Sequence, residues 1–174
     1  MTDAAPSAGE APSQVYRLME SDADAAVAIE QVVNAARREI HIFDSTPRTL
    51  RDRGFGSPSR IEALRTLLLA DRAHGVRIVL HEITAIEAEL PRLVGLLARF
   101  SGQIQIHRTI GQATRARDPM IISDDRHFWR RLDLDRRRSV VTLNDAAATQ
   151  PLIERFDEIW EKSEPAKSGR LLGL

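Results

Sequence analysis

The chain has 174 residues, 43% hydrophobic and 29% charged, which allows one domain with a sizeable core and is too short for two ordinary ones. Lys plus Arg balance Asp plus Glu at 25 each, so no overall field draws the protein to nucleic acid or anionic lipid. With no cysteine, disulfides, thiolate catalysis and Cys-ligated zinc or iron–sulfur sites are excluded, and a reducing compartment fits.

No basic stretch leads into an apolar one at the N-terminus, and no apolar run approaches the ~20 residues of a membrane span. A cytoplasmic protein is expected. Residues 1–13 are rich in Ala, Pro, Ser and Gly and read as a disordered leader. Residues 14–165 read as one α/β domain, and residues 166–174 as a C-terminal tail whose leucines could pack back. No internal repeat is present.

In chain order, Ser21 with Asp24 opens an Ala-rich helix to about Ala36, with Val27, Ile29, Val32 and Val33 on its apolar side. Arg38–Asp44 alternates as a strand does. A loop broken by Pro47, Gly54 and Gly56 follows. Ser57 then caps a helix begun by Pro58, with Ile61, Leu64 and Leu68 inward and Leu67 and Leu69 widening the arc; His74-Gly75 reads as its C-cap. Val76–His81 is a short apolar strand, and Glu87–Phe100 a third helix with Pro91 in its first turn. Gln103–His107 alternates cleanly. Met120–Ile122 is a compact apolar run, with Phe128–Trp129 on the next edge or turn. Ser139–Leu143 is another strand, and Asp145 opens the last helix, carrying Leu152, Phe156, Ile159 and Trp160 on one side. The expected order is α-β-α-β-α-β-β-β-α, a mixed, mostly parallel sheet with helices on both faces.

Most chemistry-bearing motifs are missing. There is no G-x-G-x-x-G after a strand, no phosphate-binding G-x-x-x-x-G-K-[ST], no H-E-x-x-H and no G-x-S-x-G. Neither a metal nor another cofactor is expected. His41, His81 and His107 fall on strands or strand ends, where histidine serves as a structural hydrogen-bonder; His81 beside Glu82 is the best candidate base. Asp124-Asp125 reads as a polar turn. Between Arg115 and Arg138 stand eight arginines and five aspartates. The alternating signs of Arg130–Arg138 favour a solvated hairpin tip over a nucleic-acid surface.

The segments REIHIFDS, SPSRIEALRTLLLADRAHGVRIVLHE, RARDPMIISDDRHFWRR and LIERFDEIWEKSEP together resemble an uncharacterised bacterial branch of the phospholipase D superfamily, over about Arg17 to the end. The resemblance implies a single phospholipase D-like half-domain. Relatives of this kind occur as C-terminal appendages of N-acetyltransferase domains or by themselves, and this chain would be the second sort. Active phospholipase D enzymes carry H-x-K-x4-D, in which His attacks phosphorus and Lys holds phosphate oxygens. With Asp124 at the motif's Asp, Arg117 stands for the His and Pro119 for the Lys; Asp125 could align instead. Arginine stays protonated and cannot be the nucleophile, so phosphodiesterase chemistry is not expected. The resemblance also implies a former active site at the mouth of the sheet. Arg48, Arg51 and Arg53 from the first loop, with Arg115 and Arg117, would there form an anion site. Single-motif relatives pair, which implies a homodimer across the former pseudo-dyad; a protein partner is the other expectation. The rival readings are an altered hydrolase or nuclease using His81, Asp118 or His127, and weak nucleic-acid binding through Arg126–Arg138.

Overall fold

A computed structural model describes residues 13–132 and 137–166; residues 1–12 of the proposed leader (1–13) and residues 167–174 of the proposed tail (166–174) lie outside the described residues. The elements are β1 (Val15–Met19), α1 (Asp22–Ala35), β2 (Glu39–Asp44), α2 (Pro47–Leu50), α3 (Pro58–Ala70), β3 (Gly75–Leu80), α4 (Ile86–Glu89), α5 (Pro91–Arg99), β4 (Ile104–Thr109), β5 (Met120–Ser123), β6 (His127–Arg131), β7 (Ser139–Leu143), α6 (Ala146–Glu161) and β8 (Ser163–Pro165). The strands form one sheet in the order β1-β7-β6-β5-β2-β3-β4-β8.

The mixed α/β class with helices on both faces is what the sequence indicates. Its balance differs: only β2–β3 and β3–β4 pair parallel, and the other five pairings are antiparallel. Parallel neighbours need a crossover over the sheet, and only the segments containing α3 and α5 supply one. A turn joins β5 to β6, while β1 and β8 add antiparallel edges that the periodicity did not reveal. Both are short and largely exposed, so they show no inward alternation.

Alternation sorts the side chains onto two faces. Ile40, Ile42, Ile78, Leu80, Ile104, Ile106, Ile121 and Trp129 pack under α1, α3 and α5. Phe43, Val79, Met120, Ile122 and Phe128 pack under Leu152, Phe156 and Ile159 of α6. The three expected helix starts hold: the side chains of Ser21, Ser57 and Asp145 accept from the backbone N–H of Asp24, Arg60 and Ala148.

Several local expectations are corrected. The loop after β2 contains α2 and a wide turn, Arg51–Phe55, which Gly54 closes at φ +92° while the Arg60 side chain packs against it. Arg60 is buried and Leu69 is 55% exposed, so α3 is rotated from its purely apolar face; Val27 of α1 is likewise exposed. Gly75 is not the helix C-cap, although the His74 ring bonds the Leu67 carbonyl in the last turn of α3 at 3.0 Å. Helix α3 ends at Ala70 with Asp71 extended, and Gly75 begins β3. The third helix is broken at Leu90, because Pro91 has no N–H and starts α5 instead. Phe128 and Trp129 lie inside β6.

Asp124, in the turn between β5 and β6, holds φ +51°. Its buried carboxylate accepts from the backbone N–H groups of Arg37 (3.0 Å), Arg38 (2.9 Å) and Glu39 (3.2 Å) at the entry to β2. Replacing it with Ala strands these donors and keeps the left-handed strain, a loss of about 2–3 kcal/mol. Asn tolerates the backbone angle and keeps one acceptor. Denaturant unfolding is expected to rank wild type above Asp124→Asn, and that above Asp124→Ala.

Candidate functional site

The parallel strands β2, β3 and β4 end at one rim of the sheet, the place where α/β folds present ligands. β6 also ends there, and β5 begins there. Connections from both faces converge on this rim: α2 and the Arg51–Phe55 turn on the α1 side, and the 3-10 turn Gly111–Arg115 on the α6 side.

On the α1 side the last residue of β2, Asp44, is 1% exposed. It accepts from Arg53 Nε at 2.5 Å, Thr49 Oγ1 at 2.9 Å and its neighbour's amide, Ser45 N–H, at 2.7 Å. The Arg53 guanidinium lies over the Trp129 ring, 4.7 Å from its centroid. A buried carboxylate needs such partners, and this one fixes the wide turn to the sheet rim.

The other four arginines of the candidate anion site fall into two groups. Arg48 and Arg51 sit beside Glu89: Arg48 Nε is 3.9 Å from it, and Arg51 bonds both Glu89 and Asp52. Their charge is largely answered within the protein. Arg115 and Arg117 are exposed, and neither pairs with a carboxylate among the described residues. Arg115 lines a cleft of about 370 Å³ between the Gly111–Arg115 turn and α6, with Gln112, Arg155, Glu158, Ile159 and Lys162. Arg117 precedes β5 at the same rim. No contact joins Arg48 or Arg51 to Arg115 or Arg117.

Arg155 and Lys162 were not singled out from sequence. They are seven residues apart, Arg155 on α6 and Lys162 at its C-cap, with Glu158 and Ile159 between, so one side of the helix end carries all four. That spacing was the available signal, although the opposite side of the helix carries the aromatic residues that mark its buried face. Arg155 reaches Asp118 at 3.5 Å and Glu158 at 3.6 Å, and Asp118 also takes Arg130 at 3.2 Å. Lys162, like Arg115, has no carboxylate partner among the described residues.

The histidines are held structurally. His81 Nε2 donates to the Ala116 carbonyl at 2.8 Å, and Nδ1 meets Thr109 Oγ1 at 2.8 Å, so both nitrogens are occupied. His107 Nδ1 bonds Ser163 Oγ, whose proton goes to the Trp160 carbonyl, and the ring stacks on Trp160 at 3.7 Å. His41 is buried against Phe156, with Nε2 3.3 Å from Glu39. His127 starts β6 at the opposite end of the sheet from His81, and its Nδ1 accepts from Asn144 N–H. The altered-hydrolase constellation of His81, Asp118 and His127 is therefore not assembled. Among the described residues no group of three His, Cys, Asp or Glu side chains could hold a metal, and no helix is long and apolar enough to cross a membrane.

The described arginines of the 126–138 segment lie beside carboxylates: Arg126 by Asp125, Arg130 by Asp118, Arg131 and Arg137 by Asp22, Arg138 by Glu20. Residues 133–136 lie outside the described residues.

This architecture is phospholipase D-like. Similar solved structures include Nuc from Salmonella typhimurium, a phospholipase D family member (TM-score 0.63, 15% identity, 89% of this chain and 99% of that one), and NucT from Helicobacter pylori (0.60, 12%, 88% and 100%). TrmBL2, an archaeal chromatin protein described with a novel mode of DNA binding, is also similar (0.64, 18%, 91% of this chain), although this chain spans only 56% of it. At these identities the likeness is one of fold. The chain itself belongs to a family described as a domain of unknown function, DUF7931, whose model matches residues 21–172. No curated protein sequence matches it.

Burial pushes the imidazoles of His107 and His127 below their ordinary value; at His127 the nearby Asp124 opposes this in part. The unfolded chain therefore binds more protons than the folded one just below about pH 6.5. Their contribution is complete above that pH and is lost as pH falls through it. Carboxylates held low, such as Asp125 by its bond from Arg126, act only below about pH 4. The melting temperature is expected to drop between pH 7 and pH 5.5, and to drop less in the His107→Gln/His127→Gln double variant.

Proposed function

We propose that this chain is a non-catalytic phospholipase D-like module that holds a small anion in the cleft between the Gly111–Arg115 turn and α6. The observation that carries this reading is the charge of that cleft. Arg115 and Lys162 face it without a carboxylate partner among the described residues, and Arg155 adds a third cation, held between Asp118 and Glu158. Guanidinium and ammonium groups arranged this way recognise phosphate or carboxylate. Arg48 and Arg51 drop out of the site, because Glu89 and Asp52 already answer them.

The loss of phosphodiesterase chemistry follows from the aligned motif. Arg117, in the place of the His, offers no nucleophile, and Pro119, in the place of the Lys, offers no cation. Asp124 is committed to three backbone amides, and in the other register Asp125 is committed to Arg126 and Arg38. Nucleic-acid binding is the lesser reading. It draws on the archaeal chromatin protein of similar fold, but the described arginines of the 126–138 segment face carboxylates of their own.

A thermal-shift panel of inorganic phosphate, pyrophosphate, glycerol phosphate, nucleoside monophosphates and short oligonucleotides, at constant ionic strength, tests the reading. A ligand at a hundred times its dissociation constant stabilises the fold by about 2.7 kcal/mol. At least one phosphorylated compound is expected to raise the melting temperature in wild type and in Arg48→Ala/Arg51→Ala, and to fail in Arg115→Ala/Lys162→Ala. Hydrolysis of an activated phosphodiester is expected at the rate of the blank. No shift with any anion overturns the reading and leaves a protein partner to be sought.

A further inference from the structure

Among the described residues the sheet has two edges, and they are built differently. At one of them β8 has three residues, pairs with β4 and contains Glu164 and Pro165. A short edge with a charge and a proline is protected, because proline offers no N–H to a further strand. At the other edge β1 pairs with β7 without a bulge, Val15–Met19 against Ser139–Leu143. Its sequence, VYRLM, has no proline, glycine or lysine. Its one charge, Arg17, donates to the Gln31 side chain and is drawn back over α1.

The same strand carries apolar side chains into solvent. Tyr16 and Leu18 are 71% and 50% exposed. They share the α6 face of the sheet, where the ladders set Tyr16 in line with Thr142 and Phe128, and Leu18 in line with Val140 and Arg130. Phe128 and Val140 join the core under α6, and Tyr16 and Leu18 stand beyond it. An unprotected edge with an apolar face is a template for another strand.

The strand that fits best is a second β1. Two identical antiparallel strands are related by a two-fold axis perpendicular to the sheet, which keeps the two α6 faces on the same side. An axis at Arg17 sets two guanidinium groups directly opposite each other, which is unfavourable. An axis at Tyr16 sets Leu18 against the partner's Gln14. An axis at Leu18 sets Leu18 against the partner's Leu18, Arg17 against the partner's Met19, and Tyr16 against the partner's Glu20. In that register apolar groups meet, no like charges stand opposite, and the tyrosine hydroxyl has a carboxylate to donate to.

We propose that a second copy of this chain pairs edge to edge with the first through β1, about a two-fold axis at Leu18, joining the two eight-stranded sheets into one. Tyr16 and Leu18 of both copies then form one apolar strip on the α6 face. A single pair of short strands is at the small end of specific interfaces, so the dimer forms in a concentration-dependent way. The axis lies at the sheet edge, and the dimer does not depend on an anion in the cleft beside α6.

Sedimentation velocity of the full chain, from micromolar to submillimolar concentration, tests the proposal, with thermal unfolding to verify that each variant folds. Wild type is expected to pass from monomer to dimer. Leu18→Lys and Leu18→Glu each set like charges face to face at the axis, and each alone is expected to weaken the dimer at least tenfold. An equimolar mixture of the two is expected to recover it, since unlike charges then meet. Leu69→Lys, at a leucine of similar exposure on α3, is expected to dimerise as wild type does. Should a Leu18 variant fail to fold, Tyr16→Glu, which sets a carboxylate against the partner's Glu20, carries the test and is expected to weaken the dimer. The proposal is overturned if wild type stays monomeric throughout, if the β1 variants dimerise as wild type does, if the mixture recovers no dimer, or if Leu69→Lys abolishes it.

Discussion

The sheet changes character at one junction. To one side of β2 the strands run parallel, and to the other they run antiparallel. The carboxylate of Asp124 closes that junction by taking three backbone amides from the segment that enters β2. The β2–β5 register follows from it, because β5 leads directly into the turn that carries Asp124. A fixed register puts the start of β5 at the rim where the parallel strands end, and so brings the Gly111–Arg115 turn over the end of α6. At that rim the buried Asp44–Arg53 pair performs a comparable task, holding the turn after β2 against Trp129. Both carboxylates lie deep in the fold with their oxygens occupied, and neither is free to act on a substrate.

A chain with balanced charge can still have an uneven surface. Many of the described arginines lie against Asp or Glu, and exposed pairs of that kind contribute little to stability. Their larger effect is to cancel the field locally. Arg48, Arg51 and the described arginines of the 126–138 segment are cancelled in this way. Arg115 and Lys162 have no such partner among the described residues, and both line the cleft beside α6. The two faces of the rim thus differ in kind, cationic beside α6 and internally compensated beside α1.

Much of the fold was legible because it rests on short-range chemistry. Ser21, Ser57 and Asp145 announce helix starts through their own side chains, and Ile40, Ile42, Ile104 and Ile106 announce strands by alternation. Pro91 was visible as a helix start, but its effect on the preceding turn was not, so two helices were read as one. The edge strands β1 and β8 escaped for lack of an inward face: Tyr16 and Leu18 are exposed, and β8 has three residues. Leu69 fell outside the expected buried arc, and Arg60 is buried, because tertiary packing chose the helix rotation. The candidate site was harder to read. Arg115 was legible by proximity to the degenerate motif. Arg155 and Lys162 come from a helix about forty residues further on, and only the crossing of α6 over the rim brings them near. Whether Arg48 and Arg51 were free depended on Glu89, a long-range partner that spacing does not show.

The account rests on the claim that the cation pair facing α6, and not the arginines after β2, receives an anion. The most direct measurement follows the arginine Nε–H resonances by ¹⁵N–¹H correlation while inorganic phosphate is added. The account predicts saturable shifts for Arg115 and Arg155, with Arg48 and Arg51 unmoved. Saturable shifts at Arg48 and Arg51 with Arg115 unmoved, or no saturable shift at any arginine, would contradict it.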